Sequence, residues 1–402
     1  MTTHFVLFDI DGVLLKPVGY RRAIFDTCDY FLTKFGQNSF SIDEEIITTF
    51  ESIGITSEWD MVPLIMLNVI DLGLSLKRPN NYLETEEDII KFFKSSNFHL
   101  NRYLLISEIQ KLKNYLRIGN SACEAILLSF SDHQSDLIFA NIRKYAEWII
   151  YAWLSETRNI FKSNFLQYFQ NLTLGNQQFE NITGKKPFVE TEPYLLIYDQ
   201  PLLEEHVRQS ILEMCQKNNI YPGIITARPS LFPGEHQKIE NRISFPEAEF
   251  ALQCLQLEQV PFIGFGPLEF LGIQKNTGGD SFVKPSSLHA LVALLVSSGL
   301  TMHNALLLSF DFLYNQHFKE MKNYFSKFET PIHATIFEDS TIGIQSLKSV
   351  CEKLSKIGIN IEMHAFGITD QPNKINALKN ENAVIFPTLN EAFSSSVDLI
   401  SN

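Results

Sequence analysis

The sequence predicts an α/β fold: a three-layer parallel sheet with a large all-α domain inserted after its first strand. Three observations lead there. Short apolar strands recur through the second half with helical segments between them, an alternation that calls for right-handed crossovers and a parallel sheet. One such strand opens the chain, yet the next, Gly223-Ile224-Ile225, arrives only far downstream. The stretch between them far exceeds an ordinary strand-to-helix connection of about two to six residues, and most of it carries helical periodicity. The sheet domain is therefore expected over residues 1–15 with 197–402, and the helical domain over 16–196.

The first strand, Phe5-Val6-Leu7-Phe8, runs into Asp9-Ile10-Asp11-Gly12. Side chains at i and i+2 of an extended chain share a face, so both acids can address one ligand while Gly12 turns the backbone. That suits attack by one carboxylate and proton transfer by the other. A strand ending in a plain Asp-Gly turn reads the same way. Helices are expected in the insert at Tyr20–Phe35, Ile42–Ser52, Glu58–Leu72, Thr85–Ser95, Leu100–Leu116, Ala122–Phe130 and Asp136–Phe169. Leu174–Asn181, Thr183–Pro187 and Glu190–Pro193 supply the breakers that end it.

A helix over Leu202–Lys217 feeds the Gly223 strand, which ends in Thr226 and is followed by Ala227-Arg228-Pro229-Ser230. Further strands are expected at Phe262–Phe265, His333–Phe337, Ile361–Phe366 and Ala383–Phe386. Lys284, in Ser281-Phe282-Val283-Lys284-Pro285, stands ahead of a helix, with Lys275 as its fallback. The strand Ala334-Thr335-Ile336-Phe337 runs into Glu338-Asp339-Ser340-Thr341-Ile342-Gly343, again ending in acids. Residues 231–280 hold more than one strand and helix, and Thr301–Phe328 reads as an added helical insert.

These pieces in this order resemble the haloacid dehalogenase-like (HAD) superfamily, whose motifs are an Asp-x-Asp strand end, a strand-terminal Thr or Ser, a Lys and a strand-terminal acidic group. Glu338-Asp339-Ser340 with Gly343 is similar to the subgroup of phosphoglycolate phosphatases and β-phosphoglucomutases. The resemblance covers residues 1–15 and about 197–402, with a faint likeness of Gly54-Ile55-Thr56-Ser57-Glu58-Trp59-Asp60 to helical caps. It implies a Rossmannoid core, an enlarged cap at the insertion and Mg2+ as cofactor. Asp9 would be the nucleophile and a metal ligand, with Asp339 and the Asp11 carbonyl completing the protein ligands. Glu338 would orient water on the ion, Thr226 would donate to a phosphoryl oxygen, and Lys284 would balance charge. Asp11 would protonate the leaving alcohol and then activate water.

An acid at position 11 favours phosphomonoester chemistry, since relatives that break carbon–halogen bonds generally lack it and the transport ATPases carry Thr there. The expected function is a magnesium-dependent phosphatase of a small phosphorylated metabolite. A phosphomutase would use the same residues, and a non-catalytic binding protein of the same fold is a third reading. Arg21, Arg22, Glu58, Trp59 and Asp60 in the insert and Arg228 beyond Thr226 are candidate substrate contacts; Arg21 and Arg22 equally suit a solvated helix opening.

Composition narrows the class. Asp and Glu number 46 against 33 Lys and Arg, and a net charge of −13 argues against a nucleic-acid binder. Met1-Thr2-Thr3-His4 leads directly into the first strand without a signal-like segment, and no uninterrupted apolar run reaches about 18 residues, so a soluble cytoplasmic enzyme without membrane attachment is expected. The five cysteines are isolated and odd in number, as reduced buried thiols would be. The ten histidines show no paired ligand spacing, and His289, His333 and His364 receive no role. The 33 phenylalanines are expected to fill the core.

Overall fold

The computed structural model describes residues 2–96, 99–117, 120–131, 138–234, 238–239 and 242–401, the side chains of 131 and 398–401 excepted. Six strands form one parallel sheet: β1 (Thr3–Phe8), β2 (Ile220–Ile225), β3 (Phe262–Ile263), β4 (Ile332–Glu338), β5 (Ile361–Ile368) and β6 (Val384–Phe386). Their order is β6-β5-β4-β1-β2-β3. The chain moves outward from β1 through β2 to β3, then returns to β4 on the other side of β1. Strand order thus reverses between β1 and β4, the place where an open α/β sheet leaves a crevice at its carboxyl ends.

The central strands are apolar because both faces are covered. Every residue of β1 is buried; Phe5 and Leu7 join one apolar cluster, and Val6 and Phe8 the other. On the second face Phe8, Phe337 and Phe366 stack across three strands at 5.0 and 5.1 Å, so these phenylalanines serve packing as expected. The added segment over Thr301–Phe328 forms helices Met302–Tyr314 and Phe318–Phe325, and Leu306, Phe312, Met321 and Phe325 enter the core with Phe5. It is part of a layer of the fold. Within 231–280 lie the ladder Lys238–Ile239 with Arg242–Ile243, helices Glu247–Leu255 and Phe265–Gln274, and β3. Residues 235–237 and 240–241 of that stretch lie outside the described residues.

The chain divides into two compact units, Met1–Val18 with Leu195–Asn402, and Gly19–Tyr194. The second unit is helical. Where one helix is expected over Asp136–Phe169, the chain forms Ala140–Ala146, Trp148–Leu154 and the start of Asn164–Thr183, and residues 136–137 lie outside the described ones. The expected breaker Leu174–Asn181 is itself helical on either side of Gly175, which kinks the helix at φ 73°, ψ 161°. A Cβ there would lie 2.8 Å from the Pro193 ring, so glycine permits both the kink and the contact. Glu58–Leu76 is long and apolar enough to cross a membrane, but 78% of its apolar window is buried within the protein.

Candidate active site

The site grows from the carboxyl ends of adjacent strands. Asp9 follows β1; its N–H donates to Phe337 O at 3.0 Å, and its Oδ1 accepts from Ile10 N–H at 2.9 Å. Next door β4 ends in Glu338, and Asp339 follows. Lys284 Nζ joins the two strand ends, 2.9 Å from Asp9 Oδ1 and 2.7 Å from Glu338 Oε1. All three side chains are buried. The lysine is steadied by His289, whose Nδ1 accepts from Lys284 N–H at 3.1 Å. Burial and the lysine's charge push His289 down to about 3, so it is a neutral acceptor. The fallback Lys275 lies instead over the Phe310 ring at 4.3 Å.

Glu338 is saturated. Besides Lys284, its Oε2 accepts from Asp339 N–H, Ser340 N–H and the Ser340 hydroxyl at 3.0, 3.2 and 3.0 Å. Two glycines make room for the acids: a Cβ on Gly343 would fall 1.8 Å from Glu338 Oε1, and one on Gly12, at φ +80°, 2.5 Å from Asp339 Oδ2. Asp339 meets Lys374, which stands on the helix Pro372–Asn380 beyond β5.

Asp11 faces a different partner. Arg228 donates from Nε to both its oxygens at 3.0 Å and from Nη2 to Oδ1 at 2.6 Å, and the same Nη2 reaches Asp199 Oδ2 at 3.0 Å. Arg228 and Asp199 are buried, whereas Asp11 is about one-third exposed. Read from sequence as a candidate substrate contact, Arg228 is committed here to two carboxylates. Thr226, at the end of β2, accepts Arg228 N–H on its hydroxyl oxygen at 3.2 Å, which closes the turn and leaves the hydroxyl proton to give.

Asp9, Glu338 and Asp339 each bring an oxygen within 4.8 Å of the others; with Glu338 taken up by four hydrogen bonds, Asp9 and Asp339 are the hard-oxygen donors left to face a divalent cation. The Asp11 side chain is outside that group. Burial pushes Asp9 well above the ordinary carboxylate range, and Glu338 adds to the shift against the pull of Lys284. Burial also raises Asp339, against Lys374. Lys284 is raised in turn, because Asp9 and Glu338 outweigh its own desolvation. Five carboxylates, Asp9, Asp11, Asp199, Glu338 and Asp339, meet three cations, Lys284, Arg228 and Lys374. The surplus negative charge fits a bound cation.

The candidates in the helical unit have partners of their own. Arg21 pairs with Glu44 and Glu51 at 2.8 and 2.9 Å, and Arg22 with Asp26 at 3.0 Å. Asp60 is buried; it accepts from Ala122 N–H at 3.3 Å and Arg158 at 3.4 Å, and Arg158 covers the Trp59 ring at 5.4 Å. That makes Asp60 a tie between helices, and Glu58 stands in the first turn of its helix. Sequence reasoning missed Asp199 and Lys374. A lone acid just after the apolar turn Tyr194–Ile197, and a lysine just past a strand end, were the signals present.

No family model matches the chain, and no curated protein matches it. Among solved structures, an X-ray structure determined as a Northeast Structural Genomics Consortium target superimposes with a TM-score of 0.57 at 15% identity, over 99% of this chain and 98% of its own. The two share a fold, and that identity speaks to fold alone. Phosphatase Tt82 from Thermococcus thioreducens aligns over 93% of this chain and 99% of its own at 11% identity, with a TM-score of 0.43. An overlap that loose carries no argument about activity.

Proposed function

We propose that this chain is a magnesium-dependent phosphatase of the HAD superfamily, hydrolysing a small phosphorylated metabolite through a phosphorylated Asp9. The observation that carries the reading is Lys284 bridging Asp9 and Glu338, with Asp339 alongside, at the point where strand order reverses. A carboxylate held in place by a buried ammonium is a well-positioned nucleophile for an anionic group whose charge the cations offset.

Asp9 and Asp339 would hold Mg2+ with the Asp11 carbonyl, and Glu338, its oxygens already filled, would fix Asp339 and Lys284 in place. When bound, the ion neutralises phosphoryl oxygens and polarises phosphorus. One Asp9 oxygen attacks phosphorus as the bond to the leaving oxygen breaks, and that oxygen takes a proton from Asp11. Water then attacks the acyl phosphate and gives a proton to the Asp11 carboxylate, and the bond between the Asp9 oxygen and phosphorus breaks to restore the Asp9 carboxylate. Thr226 and Lys284 donate to phosphoryl oxygens throughout. Both Asp11 oxygens accept from Arg228 in this structure, so proton donation requires one oxygen to turn from the arginine toward the leaving group.

The test is phosphate release from a panel of phosphorylated metabolites with and without Mg2+, using wild-type and Asp9→Asn protein. Metal-dependent release by the wild type alone supports the reading. Phosphoryl movement within a sugar without free phosphate marks a mutase, and no turnover with any ester marks a binding protein.

A further inference from the structure

The face of the sheet that carries the Phe8, Phe337 and Phe366 stack becomes polar toward the amino-terminal strand ends. In register, His4 pairs with His333 and His333 with Glu362, while Thr335 pairs with His364. Side chains two residues apart in a strand project from one face, so His4 of β1, His333 and Thr335 of β4, and Glu362 and His364 of β5 share it. The imidazoles of His4 and His333 stack at 4.9 Å and those of His333 and His364 at 5.3 Å. His333 Nδ1 lies 3.1 Å from His364 Nε2 and 3.7 Å from Glu362 Oε2, and the three ligand atoms lie within 4.8 Å of one another.

Ligand atoms about 2.0–2.2 Å from a tetrahedral ion lie about 3.3–3.6 Å apart, close to two of these separations. Two imidazoles and a carboxylate also form a donor set that favours zinc-class ions over magnesium. A second observation points to a ligand. Two buried polar atoms in the same patch, His4 Nδ1 and Thr335 Oγ1, lack a hydrogen-bond partner among the described residues. Glu362, with 58% of its side chain exposed, leaves the patch open to solvent and so to an entering ion.

We propose that His333, Glu362 and His364 form a zinc-class divalent metal site at the amino-terminal end of the sheet, separate from the carboxylate cluster at its carboxyl end. Four residues of β1 separate His4 from Phe8, about 13 Å of extended chain, so the ion sits remote from Asp9 and braces strands β4 and β5.

The test is a titration with Co2+ as a spectroscopic stand-in and with Zn2+ by calorimetry, in excess Mg2+ so that the carboxylate cluster is filled. Wild-type protein should bind one equivalent and show a visible cobalt band of nitrogen ligation. Glu362→Gln, a change at an exposed carboxylate that leaves folding alone, and His364→Asn should each weaken binding at least tenfold. Asp339→Asn should leave it intact. Binding that is absent in excess Mg2+, survives both changes, or disappears with Asp339→Asn overturns the proposal. Should His364→Asn fail to fold, Glu362→Gln decides the matter.

Discussion

Arg228 grips Asp11 with Nε and Nη2 at 2.6–3.0 Å and holds Asp199 with the same Nη2 at 3.0 Å, so one buried guanidinium ties the loop after β1 to Asp199 within the sheet unit. Arg228→Met removes the cation held against the fully buried Asp199 carboxylate and should cost about 3–5 kcal/mol of stability in urea unfolding. Arg228→Met with Asp199→Leu should regain most of it. If Arg228 served only to bind substrate, the single change would shift stability by no more than about 0.5 kcal/mol.

Gly343 gives a prediction of sign. It lies in the first turn of the helix Thr341–Lys356, where Gly→Ala ordinarily gains about 0.5–1 kcal/mol. Here the new Cβ meets Glu338 Oε1 at 1.8 Å, so Gly343→Ala should instead destabilise by about 1–3 kcal/mol and loosen Lys284. Thermal melts would show it; a rise in melting temperature contradicts the packing described.

The acids at the end of β4 should separate in a metal titration. Glu338 already accepts four hydrogen bonds, whereas among the described residues the Asp339 carboxylate pairs with Lys374. Calorimetry should find Mg2+ affinity reduced more by Asp339→Asn than by Glu338→Gln, and raised by Lys374→Met, which removes a competing cation. Equal losses for the two acids, or weaker binding in Lys374→Met, contradict these roles.

Glu249 sets a pH dependence apart from the site. Burial pushes it from 4.5 to about 7; its Oε1 accepts Leu231 N–H at 2.9 Å, and its Oε2 is buried without a partner among the described residues. A carboxyl raised in the folded state binds a proton the unfolded chain has already lost, so stability is full below about pH 4.5 and falls as pH rises toward 7. Glu249→Gln should flatten that slope and gain on the order of 2–3 kcal/mol at pH 8 relative to pH 4. Parallel unfolding curves at both pH values would contradict it.

The fold was legible where local pattern decides. β1, β2 and β4 announced themselves as apolar runs ending in candidate site residues, and Asp9, Lys284, Glu338 and Asp339 do come together. What the chain concealed depends on long-range pairing. β3, expected over Phe262–Phe265, pairs only at Phe262 and Ile263, against Ile224 and Ile225, and Phe265 already opens a helix. Asp199 and Lys374 are single charges whose meaning comes only from neighbours far away in sequence, and the kink at Gly175 lies against Pro193, much later in the chain. His333 and His364, assigned nothing from spacing, meet only across two strands.

The central claim is that Asp9 carries the phosphoryl group. Asp11→Asn protein, which lacks the base for the second half-reaction, is mixed with p-nitrophenyl phosphate and Mg2+, since a good leaving group needs little protonation. It is then quenched in acid during the first turnover and digested. Phosphate should appear on the peptide containing Asp9, be released by hydroxylamine, and be absent from Asp9→Asn protein. Phosphate on another residue, or nitrophenol release with no phosphoprotein at any time, would contradict the mechanism.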